Sequence, residues 1–77
     1  MTYSINSREM TVLLAWLKKS RESKGLTMRE LSQRLSKPHS YVQKVEQGER
    51  RLDVVEFVWY CQALGINPVQ GIKLLLV

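Results

Sequence analysis

The residues able to do chemistry crowd into one short stretch. His39, Ser40, Gln43 and Lys44 recur at a spacing that puts them on one side of a helix, with Val42 and Val45 on the other. An imidazole, a hydroxyl, an amide and an ammonium so placed can donate and accept hydrogen bonds and carry positive charge. That is the chemistry of base edges and phosphate oxygens. Lys44 suits guanine O6 and N7 or a phosphate, and Ser40 and Gln43 suit base edges or simple capping and solvation. Bond-breaking chemistry is not legible here. No nucleophile stands with a base, no glycine loop cradles a phosphate, and a single His and a single Cys do not complete a metal quartet. The sequence is therefore expected to encode no enzyme and to need no cofactor or metal.

Charge is distributed unevenly around this stretch. Residues 1–51 hold 11 of the 12 Lys and Arg and 5 of the 7 acids, a net of +6, whereas residues 52–77 hold one Lys and two acids, a net of −1. A basic body suits a polyanionic partner, and a nearly uncharged apolar tail suits core packing or another protein chain. Net charge of this size would by itself also serve solubility. At 77 residues, 44% of them hydrophobic, the chain supports one domain over residues 1–77. Such a domain buries only about 60–65% of its unfolded surface, so a partner subunit would help it. The single cysteine, Cys61, permits no internal disulfide and fits a reducing compartment. No secretion signal is recognisable and no apolar run approaches ~18 residues, so a cytoplasmic protein with no membrane contact is expected.

The elements that must position these residues are all helical. A first helix is predicted from about Ser7 to Lys24, with Met10, Leu13, Leu14 and Leu17 in one stripe and Gly25 as its stop. Thr27 and Glu30 make a capping box for a second helix that ends near Leu35 or Ser36. A third runs from about Pro38 to Gln47, with Pro38 in its first turn and Gly48 closing it. Asp53 and Glu56 cap a fourth, which runs to Leu64 and stops at Gly65. That helix is apolar almost all round, so it is expected to be covered on more than one side. Asn67 and Pro68 start a last helix that carries apolar residues to the end of the chain.

Two short helices joined by a tight turn, over about residues 27–47, make a helix-turn-helix unit. The runs Gly25-Leu26-Thr27-Met28-Arg29-Glu30-Leu31 and Ser40-Tyr41-Val42-Gln43-Lys44-Val45-Glu46-Gln47-Gly48, with Ala63-Leu64-Gly65 later, resemble the XRE/Cro-type phage repressor family. The resemblance spans about Leu17 to Leu75. It implies an all-α, five-helix bundle of the phage-repressor type that binds operator DNA, usually as a dimer. It implies that His39, Ser40, Gln43 and Lys44 face base edges. Thr27 and Met28 would meet a phosphate at a helix start, and Gln47, Arg50 and Arg51 would touch the backbone; Lys37 is a further candidate phosphate contact by its charge alone. Arg21 and Glu46 match a pair that ties the first helix to the third. Two positions depart from the pattern: Ser36 stands where Gly is common in the turn, and Lys37 where an apolar residue is common.

The apolar helices over about residues 53–77 leave surface over, and Trp59, Leu75, Leu76 and Val77 are candidates for a dimer surface. A two-fold dimer would match a palindromic operator with half-sites about 34–36 Å apart. The expected partner is thus double-stranded DNA, with no small-molecule ligand evident. The expected function is sequence-specific regulation, most simply repression. The alternative is a protein-interaction module or antitoxin-type partner with the same fold. Arg34, Lys37, Lys44, Arg50 and Arg51, with Glu49 as the exposed acid nearby, favour DNA.

Overall fold

A polar residue just ahead of each amphipathic run sets most of the helix starts. The computed structural model describes residues 7–76, so the candidate dimer residue Val77 lies outside the described part. Ser7 caps α1 (Arg8–Ser23) by accepting from the Met10 amide at 3.1 Å. Thr27 caps α2 (Met28–Arg34): its Oγ1 accepts from the Glu30 amide at 3.0 Å, and Glu30 accepts from the Thr27 amide at 2.8 Å. Those bonds from Thr27 hold the Glu30 carboxyl below its ordinary pKa. α3 spans Tyr41–Glu46. The predicted box of Asp53 and Glu56 is formed at the start of α4 (Val54–Leu64), and Asn67 caps α5 (Pro68–Leu75).

The helices pack around a single core. Leu13, Leu14 and Leu17 of α1 meet Leu31 of α2, Val42 and Val45 of α3, and Phe57, Tyr60, Cys61 and Leu64 of α4. α1 touches α3, α4 and α5, and α2 lies against α3 and α4. Where α5 crosses α1, Gly71 has room for no side chain. A Cβ there would stand 2.6 Å from a ring carbon of Trp16 and 3.1 Å from Phe57.

Two expectations need correction, the start of the third helix and the end of the last. The third helix begins at Tyr41 rather than Pro38, because the Tyr41 amide bonds back to the Pro38 carbonyl at 2.9 Å and closes a turn through His39 and Ser40 first. α4 packs against α1, α2 and α5, so it is covered on more than one side, but Val54, Val55 and Trp59 remain exposed. The bundle has too few helices to bury them. α5 stops at Leu75, with Leu76 as its cap.

Candidate nucleic-acid interface

Residues 41, 42 and 45 and residues 40, 43, 44 and 47 divide α3 into two faces. Tyr41, Val42 and Val45 are buried, and Ser40, Gln43, Lys44 and Gln47 are exposed, as is His39 in the turn before them. All four predicted base-edge residues therefore share one open surface. Tyr41 is a packing residue, as its position on the inner face requires.

What holds this face in place is a set of polar anchors inside the bundle. Arg21 of α1 donates to Glu46 through Nε at 2.7 Å and through Nη2 at 3.2 Å, and its Nη1 reaches the Leu26 carbonyl at 2.8 Å. Their side chains are 9% and 4% exposed, so this pair fixes the end of α3 in a nearly dry setting. The Glu46 hydrogen bond raises the Arg21 pKa above its ordinary value, so the guanidinium stays charged. Ser32, fully buried on α2, supplies the start of the helix. Its Oγ accepts from the Val42 amide at 3.2 Å and lies 3.4 Å from the His39 carbonyl, to which it donates. The Ser40 side chain caps nothing. α3 is thus capped by the preceding helix rather than by its own first residue. Sequence reasoning passed over Ser32. The available signal was a hydroxyl on the inward stripe formed by Met28, Leu31 and Leu35.

The predicted phosphate contacts divide into two groups. Thr27, Lys37, Gln47 and Arg51 are exposed. The Met28 side chain packs against the core, which leaves the backbone at the start of α2 as its polar group. Arg50 is committed inside the chain. It pairs with Glu56 at 2.7 Å, donates to the Arg51 carbonyl, and lies 5.6 Å from the Tyr41 ring centre. Lys37 lies 5.4 Å from the same centre. Arg50 therefore ties the loop after α3 to both α3 and α4.

On the predicted dimer surface, Trp59 and Leu76 are 55% and 78% exposed. Leu75 is half-buried against the core. Among the described residues no cluster of His, Cys, Asp and Glu could hold a metal ion, and no helix is long and apolar enough to cross a membrane.

The helix-turn-helix family model matches residues 17–70. The chain belongs to the XRE family of helix-turn-helix proteins. Membership makes it a DNA-binding transcription regulator. An XRE-family like protein from Pseudomonas syringae pv. tomato is 40% identical, with a TM-score of 0.82 over 87% of this chain and 82% of that one. Two further solved structures share the fold at 21% identity. The restriction-modification controller protein C.Esp1396I has a TM-score of 0.79 over 92% of each chain. A hypothetical transcription factor from Neisseria, NHTF, has one of 0.75 over 92% of this chain and 80% of the other. No curated protein sequence matches this XRE-family chain.

Proposed function

We propose that this protein is a sequence-specific repressor that reads a palindromic operator in double-stranded DNA as a homodimer, with α3 in the major groove. One observation carries the reading: Gln43 and Lys44 on α3, with His39 and Ser40 in the turn that leads into it, are exposed polar residues on an element whose two ends are anchored by buried polar groups, Ser32 and the Arg21–Glu46 pair. A groove about 12 Å wide admits one helix, and a rigid mount turns hydrogen-bonding capacity into sequence discrimination. Lys37, Gln47 and Arg51 flank that face and supply phosphate contacts. Arg50 acts through its neighbours, holding the loop that presents Arg51. Exposed Val69, Ile72 and Leu76 recur on α5 at i, i+3 and i+7, which supports the second-copy surface.

Fluorescence anisotropy with the duplex upstream of its own gene and with a scrambled duplex, across a salt series, tests the reading. The expected gap is about 10³-fold or more. Equal, salt-sensitive binding to both would overturn specific recognition of that site. Lys44→Ala is expected to weaken specific binding by about 1–3 kcal/mol and to relax the preference at one base pair. The same loss on both duplexes would make Lys44 a phosphate contact.

A further inference from the structure

Beside the reading face, the described surface holds a cleft of about 390 Å³ between the C-terminal end of α2 and α4. That volume lies in the range of small-molecule sites. Its walls combine two kinds of chemistry. Trp59, Tyr41 and Leu35 offer flat or apolar surface, and Arg34 and Lys37 offer positive charge.

The charges in the cleft are unequal in availability. Among the described residues that line it Glu56 is the only carboxylate, and it is already used: one oxygen is 2.7 Å from Arg50, and the other accepts from the Asp53 amide at 2.9 Å. The Arg34 guanidinium is pinned at the cleft by donating Nη1 to the Ala63 carbonyl at 3.1 Å, which leaves its other N–H donors for a ligand. Among the described residues neither Arg34 nor Lys37 forms a salt bridge. A half-exposed indole beside two such cations is matched by a ring bearing one negative charge.

We propose that this cleft binds a small planar aromatic carboxylate, its ring on Trp59 and its carboxylate between Arg34 and Lys37. A neutral ring would forgo the cations, and a small anion without a ring would forgo the indole. The site also touches the recognition helix. Tyr41 is the first residue of α3, and Lys37 lies over its ring. A ligand that draws Lys37 towards its own carboxylate lowers affinity for DNA. That consequence rests on the operator reading above; the binding itself does not.

The test is ¹⁵N NMR of the full chain with indole-3-acetate, with indole and acetate as separate controls. Saturable shifts are expected at the Trp59 indole N–H and at the amides of residues 34–37 and 41, with a Kd of about 1 mM or tighter. Indole is expected to bind at least about tenfold more weakly, and acetate to give no saturable shift. Arg34→Gln is expected to weaken indole-3-acetate about tenfold while the rest of the spectrum stays native. No saturable shift, an equal response to indole, or shifts confined to α5 would overturn the site. Shifts at these same resonances on diluting the protein alone would mean that a second copy covers the indole, and would overturn it too. This arm uses no DNA, so its failure is distinct from failure of the operator reading. In the anisotropy assay, operator affinity is expected to fall at saturating indole-3-acetate. Unchanged affinity would overturn the coupling to α3.

Discussion

Glu46 and Tyr60 sit in similarly dry surroundings with opposite consequences for their polar atoms. Glu46 accepts both bonds from Arg21, so its removal leaves a buried guanidinium with only the Leu26 carbonyl. Glu46→Ala is expected to cost about 3–5 kcal/mol. At about 4–8 °C per kcal/mol for a domain of this size, that cost shows plainly in a thermal melt followed by circular dichroism. A change of a degree or two would show that the pair is a solvated surface contact. The Tyr60 ring is fully buried, and its hydroxyl has no hydrogen-bond partner among the described residues. Burial drives its pKa upward, so the group stays neutral and the desolvated O–H is a standing cost. Tyr60→Phe keeps the shape and removes that cost. It is expected to raise the melting temperature by about 4–8 °C, for a gain of about 1 kcal/mol; a lower temperature would mean that the hydroxyl is satisfied in solution. Neither case could be read from the residues alone. The ion pair was legible through the family resemblance, because nothing in the spacing of positions 21 and 46 brings them together. The Tyr60 hydroxyl was hidden because an apolar helix pattern places a ring inward without saying what its tip meets.

Four of the five helices end in the same way, and one of those ends is chemically unlike the others. In each, an amide just beyond the helix end bonds to the carbonyl five residues back: Leu26 to Arg21, Lys37 to Ser32, Glu49 to Lys44 and Ile66 to Cys61. The residue before that amide must adopt a left-handed backbone. Gly25, Gly48 and Gly65 do so freely, whereas Ser36 does so at φ 56° with a Cβ present. This is the turn between α2 and α3, so strain sits where recognition geometry is set. Ser36→Gly is expected to stabilise the protein by about 0.5–1 kcal/mol, read from the urea midpoint, because relief of the strained backbone exceeds the added freedom of the unfolded chain. A lower midpoint would mean that the serine side chain contributes more than the backbone loses. Helix ends were largely legible, since caps and stops are local chemistry: Thr27 with Glu30, Asp53 with Glu56, and the glycines all read correctly. The start of α3 was not. It is set by a hydroxyl from the neighbouring helix, and an interaction across ten residues leaves no periodic trace.

On the scale of the whole molecule, size decides how many copies an operator needs. The longest extent of the described residues is 33 Å, and the reading face proposed above lies at a single helix, α3. Successive major-groove faces on one side of a duplex lie about 34–36 Å apart, so in the proposed reading one copy would read one half-site and a palindrome would require two. The uneven charge along the sequence pointed to two surfaces: Lys37, Lys44 and Arg51 are exposed on and beside α3, while Val69, Ile72 and Leu76 are exposed on α5 and its cap. Which copy-to-copy geometry this allows is not a property of one chain's pattern, and sequence could indicate the apolar surplus but not its outline. Ile72 is 43% exposed on that stripe, so a charge there leaves the core intact. If the proposed homodimer forms through this stripe, the parent chain is expected to sediment as a dimer and Ile72→Glu as a folded monomer at the same concentration. A carboxylate would be buried against its own symmetry mate, and an unpaired buried charge is costly. Binding to a single half-site is expected to persist in the variant, while the gain from joining two half-sites in one duplex disappears. If Ile72→Glu kept the parent's mass and its full-operator affinity, the α5 stripe would not be the dimer surface. A loss of half-site binding as well would place α5 in the support of α3 rather than in assembly.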